Sequence, residues 1–273
     1  AAEEIVQETL IKLRSLPIDR CRVGLSPHAP YSTAPGLLTL AAETAKLKQL
    51  RLVTHVAESD QEFDMFMHGC GEMFNWLSRN ERDMSDCGLG SPVQHMERHR
   101  ALGEHLLAVH VNYLAPGDAL LLARRKTSVV HCPRSHSYFK HRAFPLQELL
   151  AAKVNICLGT DSLASVYKAR KRAIELNMFD EMRELALNSP DLPPETILRM
   201  ATINGALALG MKRQIGELSP GAFADLIAIP HAGAGSNDYE TVLHHGGNVA
   251  SSMINGRWAI QPSAMDQEPF RSS

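Results

Sequence analysis

The chain has 273 residues, 44% hydrophobic and 21% charged, with a formal net charge of -2 and a pI near 6.7. That is the composition of a globular protein, large enough for one large domain or one large and one small, with no basic footprint for nucleic acid or an anionic membrane. No apolar run approaches the roughly 18 residues a membrane span needs.

The start, Ala1-Ala2-Glu3-Glu4, is acidic and has no signal-peptide core. Five cysteines, at 21, 70, 87, 132 and 157, form no CxxC and are odd in number, so reduced thiols and a cytoplasmic location are expected. Residues 3–16 read as a helix stopped by Pro17, because Ile5, Leu10, Ile11 and Leu13 recur near helical spacing. Arg22 to Leu25 is a short strand leading to His28. Thr33-Ala34-Pro35 caps a helix through about residue 49, and Leu52 to Ala57 is the next strand. From Glu58 to about Leu102 runs a long insertion with two helical patches. It reads either as a lid or substrate wall, or as a packed excursion with its own small core. Leu106 to His110 is the third strand and Thr127 to His131 the fourth, with a helix opened by Pro116-Gly117-Asp118 between them. A loop follows, then a helix over 145–153 and a fifth strand over 155–158. A helical region over 164–187, a Pro-rich turn and a helix over 195–208 complete the alternation. Strands alternating with helices predict a parallel α/β sheet. From Gly216 the pattern changes to a turn, a strand over 224–229 and a hairpin with an Asn255-Gly256 turn, followed by a tail. The expected division is 1–210 for the α/β part and 211–273 for a small antiparallel module.

The predicted strands end in polar residues: His28, His55 with Glu58, His110, His131 and Asp161. Parallel strands end on one rim, so these groups point to one polar site. Imidazoles and a carboxylate from separate strands suit a borderline divalent metal, zinc first and iron second. Asp161 is a candidate ligand beside the strand-end imidazoles. Glu58, three residues past His55, is placed to carry a proton without ligating. His110 is placed to hold the attacking water or polarise the substrate. For each residue a bland reading stands beside the functional one. A strand-end histidine often bonds only backbone, which keeps His28 and His131 open, and Asp161 could simply cap the following segment. His95 and His99, at i and i+4, lack the glutamate placement of HExxH and read as a solvated helix face. His136 and His141 with Arg134 cluster after the fourth strand, as a substrate contact or a polar loop. His244-His245 reads as structural.

The motifs SPHAPYS (26–32), THVAES (54–59), VHVN (109–112), VVHCPRSH (129–136), LGTDSLAS (158–165), MATINGALALG (200–210) and GELSPGAFADLIAI (216–229) occur in one order over about 24–260. In this the chain resembles the amidohydrolase superfamily, in its cytosine-deaminase and chlorohydrolase-like branch. The resemblance implies His55 and Asp161 as metal ligands, Glu58 as proton shuttle, His110 at the attacking water or substrate, and His28 at the substrate. His131 and Arg134 complete the expected substrate contacts. It also implies a distorted (β/α)8 barrel, a TIM-like fold, with a β-sandwich built from both chain ends. The family's first-strand HxH pair is absent here, and Cys132-Pro133-Arg134-Ser135-His136 stands where the family has Asn-Pro-x-Ser-Asn. Only about the last five βα units are therefore expected, as the C-terminal part of a longer barrel. The expected function is hydrolytic deamination of an aminated heterocycle. The alternatives are chloride or ring-amide chemistry, or a non-catalytic scaffold. The expected partners are a small-molecule substrate, further copies in a homo-oligomer and the missing barrel strands. Neither nucleic acid nor a membrane is expected.

Overall fold

The protein is described by a computed structural model covering residues 2–17, 21–167, 175–230 and 237–263. Five parallel strands form one sheet in sequence order: β1 (Gly24–Leu25), β2 (Arg51–Val56), β3 (Leu106–His110), β4 (Ser128–His131) and β5 (Ile156–Leu158). The register is unbroken across the centre, with His55 opposite Val109 and Val56 opposite His110. Every strand therefore ends on the same rim.

Helices return the chain between strands: α1 (Ala2–Ser15), α2 (Pro35–Lys48), α3 (Asp60–His68), α4 (Glu72–Arg79), α5 (Pro92–Arg98), α6 (Asp118–Arg125), α7 (Pro133–Phe139), α8 (Leu146–Ala151), α9 (Met178–Asn188), α10 (Pro194–Ala201), α11 (Ile203–Ala208) and α12 (Asp238–His244). The two faces of the sheet differ. Leu52, Val56, Leu106, Ala108, Val129 and Ile156 join the main core with Leu38, Leu122, Leu149, Ile197 and Met200 of the helices. Among the described residues the other face carries a small cluster of Leu107, Cys157 and Ala208, flanked by Val53 and Val130.

The long insertion holds α3 and α4 around its own small core of Met65, Phe66 and Cys87, while Val93 and Met96 of α5 join the main core. It is a packed excursion. The solvated-face reading of His95 fails here. His95 is fully buried, 4.4 Å from the Phe66 ring and 4.5 Å from the His99 ring. Desolvation keeps it neutral by pushing its pKa well down, so it packs as an aromatic disc rather than as a solvated base.

Other expectations shift locally. The loop after β4 is the helix α7, because Pro133 takes its first position, where no N–H is required. The helix expected over 195–208 breaks at Thr202, whose hydroxyl bonds the Leu198 carbonyl at 2.7 Å. α12 was not expected; Asn237 caps it by accepting from the Tyr239 N–H. Part of the 164–187 helical region and most of the tail lie outside the described residues. The second sheet is antiparallel, β6 (Leu226–Ala228), β7 (Ser251–Ile254) and β8 (Arg257–Ile260). Its hairpin turns at Asn255 (φ 47°) and Gly256 (φ 75°), as the Asn-Gly pair predicts. Among the described residues this module is one three-stranded layer from the C-terminal region. The N-terminal end supplies α1, packed on α2, rather than a sandwich strand.

The asymmetry of burial sets the expected response to truncation. Leu106→Ala should lower stability by about 3 kcal/mol, as a fully buried leucine in a core that can relax only partly. Leu120→Ala, on the exposed side of α6, should stay within about 0.5 kcal/mol. Urea midpoints of the two variants check the contrast.

Candidate active site and metal centre

The site begins with one carbonyl. The His28 backbone oxygen accepts from the His55 N–H at 3.0 Å, from the Thr54 hydroxyl at 3.2 Å and from His55 Nδ1 at 2.7 Å. A carbonyl can only accept, so His55 Nδ1 carries the hydrogen and Nε2 keeps its lone pair. That arrangement orients an imidazole for metal binding.

Strand alternation alone would turn His110 toward the helices, with Leu106 and Ala108. It does not go there, because His110 and Val111 adopt left-handed backbone, at φ 72° and 52°. The ring instead stacks on His55, with centroids 5.3 Å apart and planes 21° apart. Asp161, just past β5, is also left-handed, at φ 52°. Gly159 lets that strand end close in: a Cβ there would lie 2.7 Å from Val130 Cγ1. Donor atoms of His55, His110 and Asp161 all fall within 4.8 Å of one another. Asp161 Oδ2 accepts from the Ser165 hydroxyl at 2.9 Å, while the capping role belongs to Ser162, which accepts from the Ala164 N–H.

The donor set fits a divalent cation. Two imidazole nitrogens and a carboxylate suit zinc or iron. His110 Nε2 is buried without a hydrogen-bond partner, as a nitrogen reserved for an ion or a substrate would be. Burial pushes the His110 pKa down, with the Asp161 charge opposing, so the ring is neutral and able to ligate.

Glu58 Oε1 lies 3.6 Å from His110 Nε2. Its pKa is raised, first by burial, with the His55 ring opposing and the Asp161 charge adding to the rise. A carboxyl shifted that way holds a proton more readily than a solvated one, the direction an acid–base group needs. Its backbone is anchored by Glu62, which sequence reasoning missed. The Glu62 carboxylate accepts from the Ala57 N–H at 2.9 Å and the Glu58 N–H at 2.8 Å. Glu62 is fully buried and its pKa is pushed up to about 8 by desolvation, against those two hydrogen bonds.

His28 is exposed beside the cluster, its ring 5.0 Å from His55 and its Nδ1 2.7 Å from the Ser32 hydroxyl. His131 and Arg134, the other expected substrate contacts, make packing and ion-pair contacts within the described structure, and His131 Nδ1 is buried without a hydrogen-bond partner. His131 is buried and stacked on Phe144 at 3.8 Å. Arg134 donates to the Glu175 carbonyl at 2.9 Å and faces Asp180 and Glu181, tying α7 to α9.

Comparison with known proteins matches the amidohydrolase family over residues 2–259. The chain belongs to the amidohydrolase family. It is 34% identical over 253 residues to a 5-methylthioadenosine/S-adenosylhomocysteine deaminase of Syntrophobacter fumaroxidans, covering 88% of this chain and 52% of that protein. It is 32% identical over 263 residues to a 5'-deoxyadenosine deaminase of Methanoregula boonei, covering 93% and 51%. The chain thus spans about half the length of these curated relatives. An adenosine deaminase of Xanthomonas campestris with bound zinc superposes with a TM-score of 0.75 at 25% identity, over 93% of this chain and 55% of that one. Guanine deaminase of Escherichia coli shares the fold at a TM-score of 0.74 and 18% identity, over 96% and 61%. No helix among the described residues of this family member is long and apolar enough to cross a membrane.

Glu62 gives a pH test with a definite sign. Its folded pKa, near 8, lies above its ordinary 4.5, so between those values the folded state holds a proton the unfolded state has lost. Its contribution to stability is full below pH 4.5 and fades as pH rises through 8. Glu62→Gln removes that slope. Its urea midpoint, taken relative to the parent, should rise steadily from pH 5 to 8, and a flat difference would contradict the assignment.

Proposed function

We propose that this chain is the C-terminal part of a metal-dependent hydrolytic deaminase that converts an aminopurine nucleoside to its oxo form and releases ammonia. The observation that carries the reading is the convergence of His55, His110 and Asp161 within 4.8 Å, with the Glu58 carboxyl 3.6 Å from His110. The adenine nucleosides in the relatives' names support the substrate class.

His55 Nε2 and the Asp161 carboxylate would hold a divalent cation, which when bound would lower the pKa of a water toward 7 and so supply a nucleophile at neutral pH. Zinc is the proposed ion, in keeping with the zinc-bound adenosine deaminase of the same fold. Glu58 takes a proton from the attacking water and gives it to the ring nitrogen beside the carbon under attack. A C–O bond forms there. Glu58 then carries the second proton to the exocyclic nitrogen, the C–N bond breaks, and ammonia leaves. His110, neutral and beside Glu58, holds the attacking oxygen. His28, exposed beside the cluster, contacts the substrate.

The proposed architecture is the last five βα units of a (β/α)8 barrel over 1–210, with 211–273 forming part of a β-sandwich. Three features support it. Among the described strands, β1 and β5 each have a neighbour on one side only. Among the described residues one sheet face carries a far smaller apolar cluster than the other, with Ala208 of α11 its one buried helix residue, which suits the narrow interior of a closed barrel. The cluster offers at most three protein ligands where zinc commonly takes four donors, leaving the rest to other strands of the barrel and to water.

Incubated with adenosine, 5'-deoxyadenosine and 5-methylthioadenosine, the full-length protein should release ammonia in step with loss of the amine. Chloride release from a chlorotriazine, without ammonia from these nucleosides, would replace the proposed leaving group. Glu58→Gln should lower kcat by about 10²–10⁴-fold, the usual share of a positioned acid–base group; near-normal turnover removes Glu58 from the mechanism. Dialysis against a chelator should abolish activity, and added zinc should restore it. A full-length protein found metal-free by elemental analysis, and inactive with zinc added, would favour a non-catalytic scaffold.

A further inference from the structure

Asn112 lies two residues past the end of β3 and is 4% exposed. Both ends of its amide are committed. Nδ2 donates to the Glu58 backbone carbonyl at 2.9 Å, and Oδ1 lies 3.1 Å from His136 Nδ1. The Glu58 carbonyl can only accept, so the NH2 end must face it. The oxygen end must then face His136, which fixes the hydrogen on His136 Nδ1. His136 is buried in α7, and desolvation holds it neutral by lowering its pKa to about 4, which leaves a single tautomer compatible with the bond. The chain of assignments has no freedom at any link.

Its effect falls on Glu58. The N–H of Glu58 is held by Glu62 and its C=O by Asn112. Both peptide groups flanking the Glu58 Cα are thus fixed, from helix α3 on one side and from β3 and α7 on the other. Only side-chain torsions remain to set the carboxyl 3.6 Å from His110 Nε2. We infer that Asn112 and His136 are positioning residues for Glu58, with His136 acting through the Asn112 amide. This rests on the reading of Glu58 as the proton carrier.

The test uses the full-length, zinc-loaded protein and separates kcat from KM for Glu58→Gln, Asn112→Ala, His136→Leu, His136→Gln and the Asn112→Ala/Glu58→Gln double variant. A misplacement of about 1 Å costs on the order of 10²-fold. Asn112→Ala and His136→Leu should therefore lower kcat by about 10–100-fold with KM changed less than about 3-fold. His136→Gln, which keeps an N–H donor, should recover most of the loss. In the Glu58→Gln background Asn112→Ala should cost little more, because both act on one proton transfer. Unchanged kcat in Asn112→Ala and His136→Leu, with Glu58→Gln inactive, overturns the positioning role and leaves the proton carrier standing. So does a full multiplicative loss in the double variant. An active Glu58→Gln overturns both. If Asn112→Ala does not fold, the His136→Leu and His136→Gln pair decides alone: equal losses in the two overturn the inference.

Discussion

The hydrogen bond from His55 Nδ1 to the His28 carbonyl is the constraint on which the site depends. It joins the turn after β1 to the last residues of β2, and it decides which imidazole nitrogen is free. Were the hydrogen on Nε2, the ring would point a donor, not a lone pair, into the cluster with His110 and Asp161 that could hold a cation. The same carbonyl takes the His55 N–H and the Thr54 hydroxyl, so the ring is held by backbone that is itself part of the sheet. An imidazole held this way would lose little freedom on taking an ion.

A second constraint is conformational. Left-handed backbone costs roughly 1–2 kcal/mol per non-glycine residue, yet Ala57, His110, Val111 and Asp161 all adopt it beside the site. Val111 is β-branched, the least suited of the four. Ladder bonds that continue past the strands hold these residues in place: the Val111 N–H reaches the Val56 carbonyl at 2.9 Å and the Asn112 N–H the Ala57 carbonyl at 3.0 Å. The sheet thus supplies the free energy that bends its own rim, and the bend brings His110 round to His55. Strain at a functional site, offset by rigid structure beneath it, is the expected pattern.

Much of this was legible in the chain. Apolar runs ending in His55, His110 and Asp161 mark three parallel strands, and parallel strands share a rim, so a shared rim follows from periodicity and residue type, whereas the turn of His110 toward His55 rests on left-handed backbone at 110 and 111 that periodicity does not encode. Glu58 was legible because a carboxylate three residues past a strand-end histidine has few other positions to occupy. The supporting residues were not. Glu62 reads as an ordinary solvated glutamate in the first turn of a helix, and only its burial against two N–H groups reveals its task. Asn112 and His136 are 24 residues apart and meet through tertiary packing that no local pattern encodes. His95 failed for the opposite reason: its i, i+4 partner suggested a polar face, whereas stacking on Phe66 turns the pair inward. The break at Thr202 depends on one side-chain hydroxyl competing for a helical carbonyl, which helix periodicity does not register.

Glu62 belongs to α3, the first helix of the packed excursion, and α3 shares a core with Cys87 and the segment leading to α5. The excursion and the Glu58 carboxylate, the proposed proton carrier, are therefore mechanically one piece. A substitution far out in that small core, one that merely tilts α3, would be felt as slower turnover before it was felt as altered recognition. Evolution could then adjust the rate of such an enzyme by repacking a surface outgrowth, with every residue that meets the reactants left untouched.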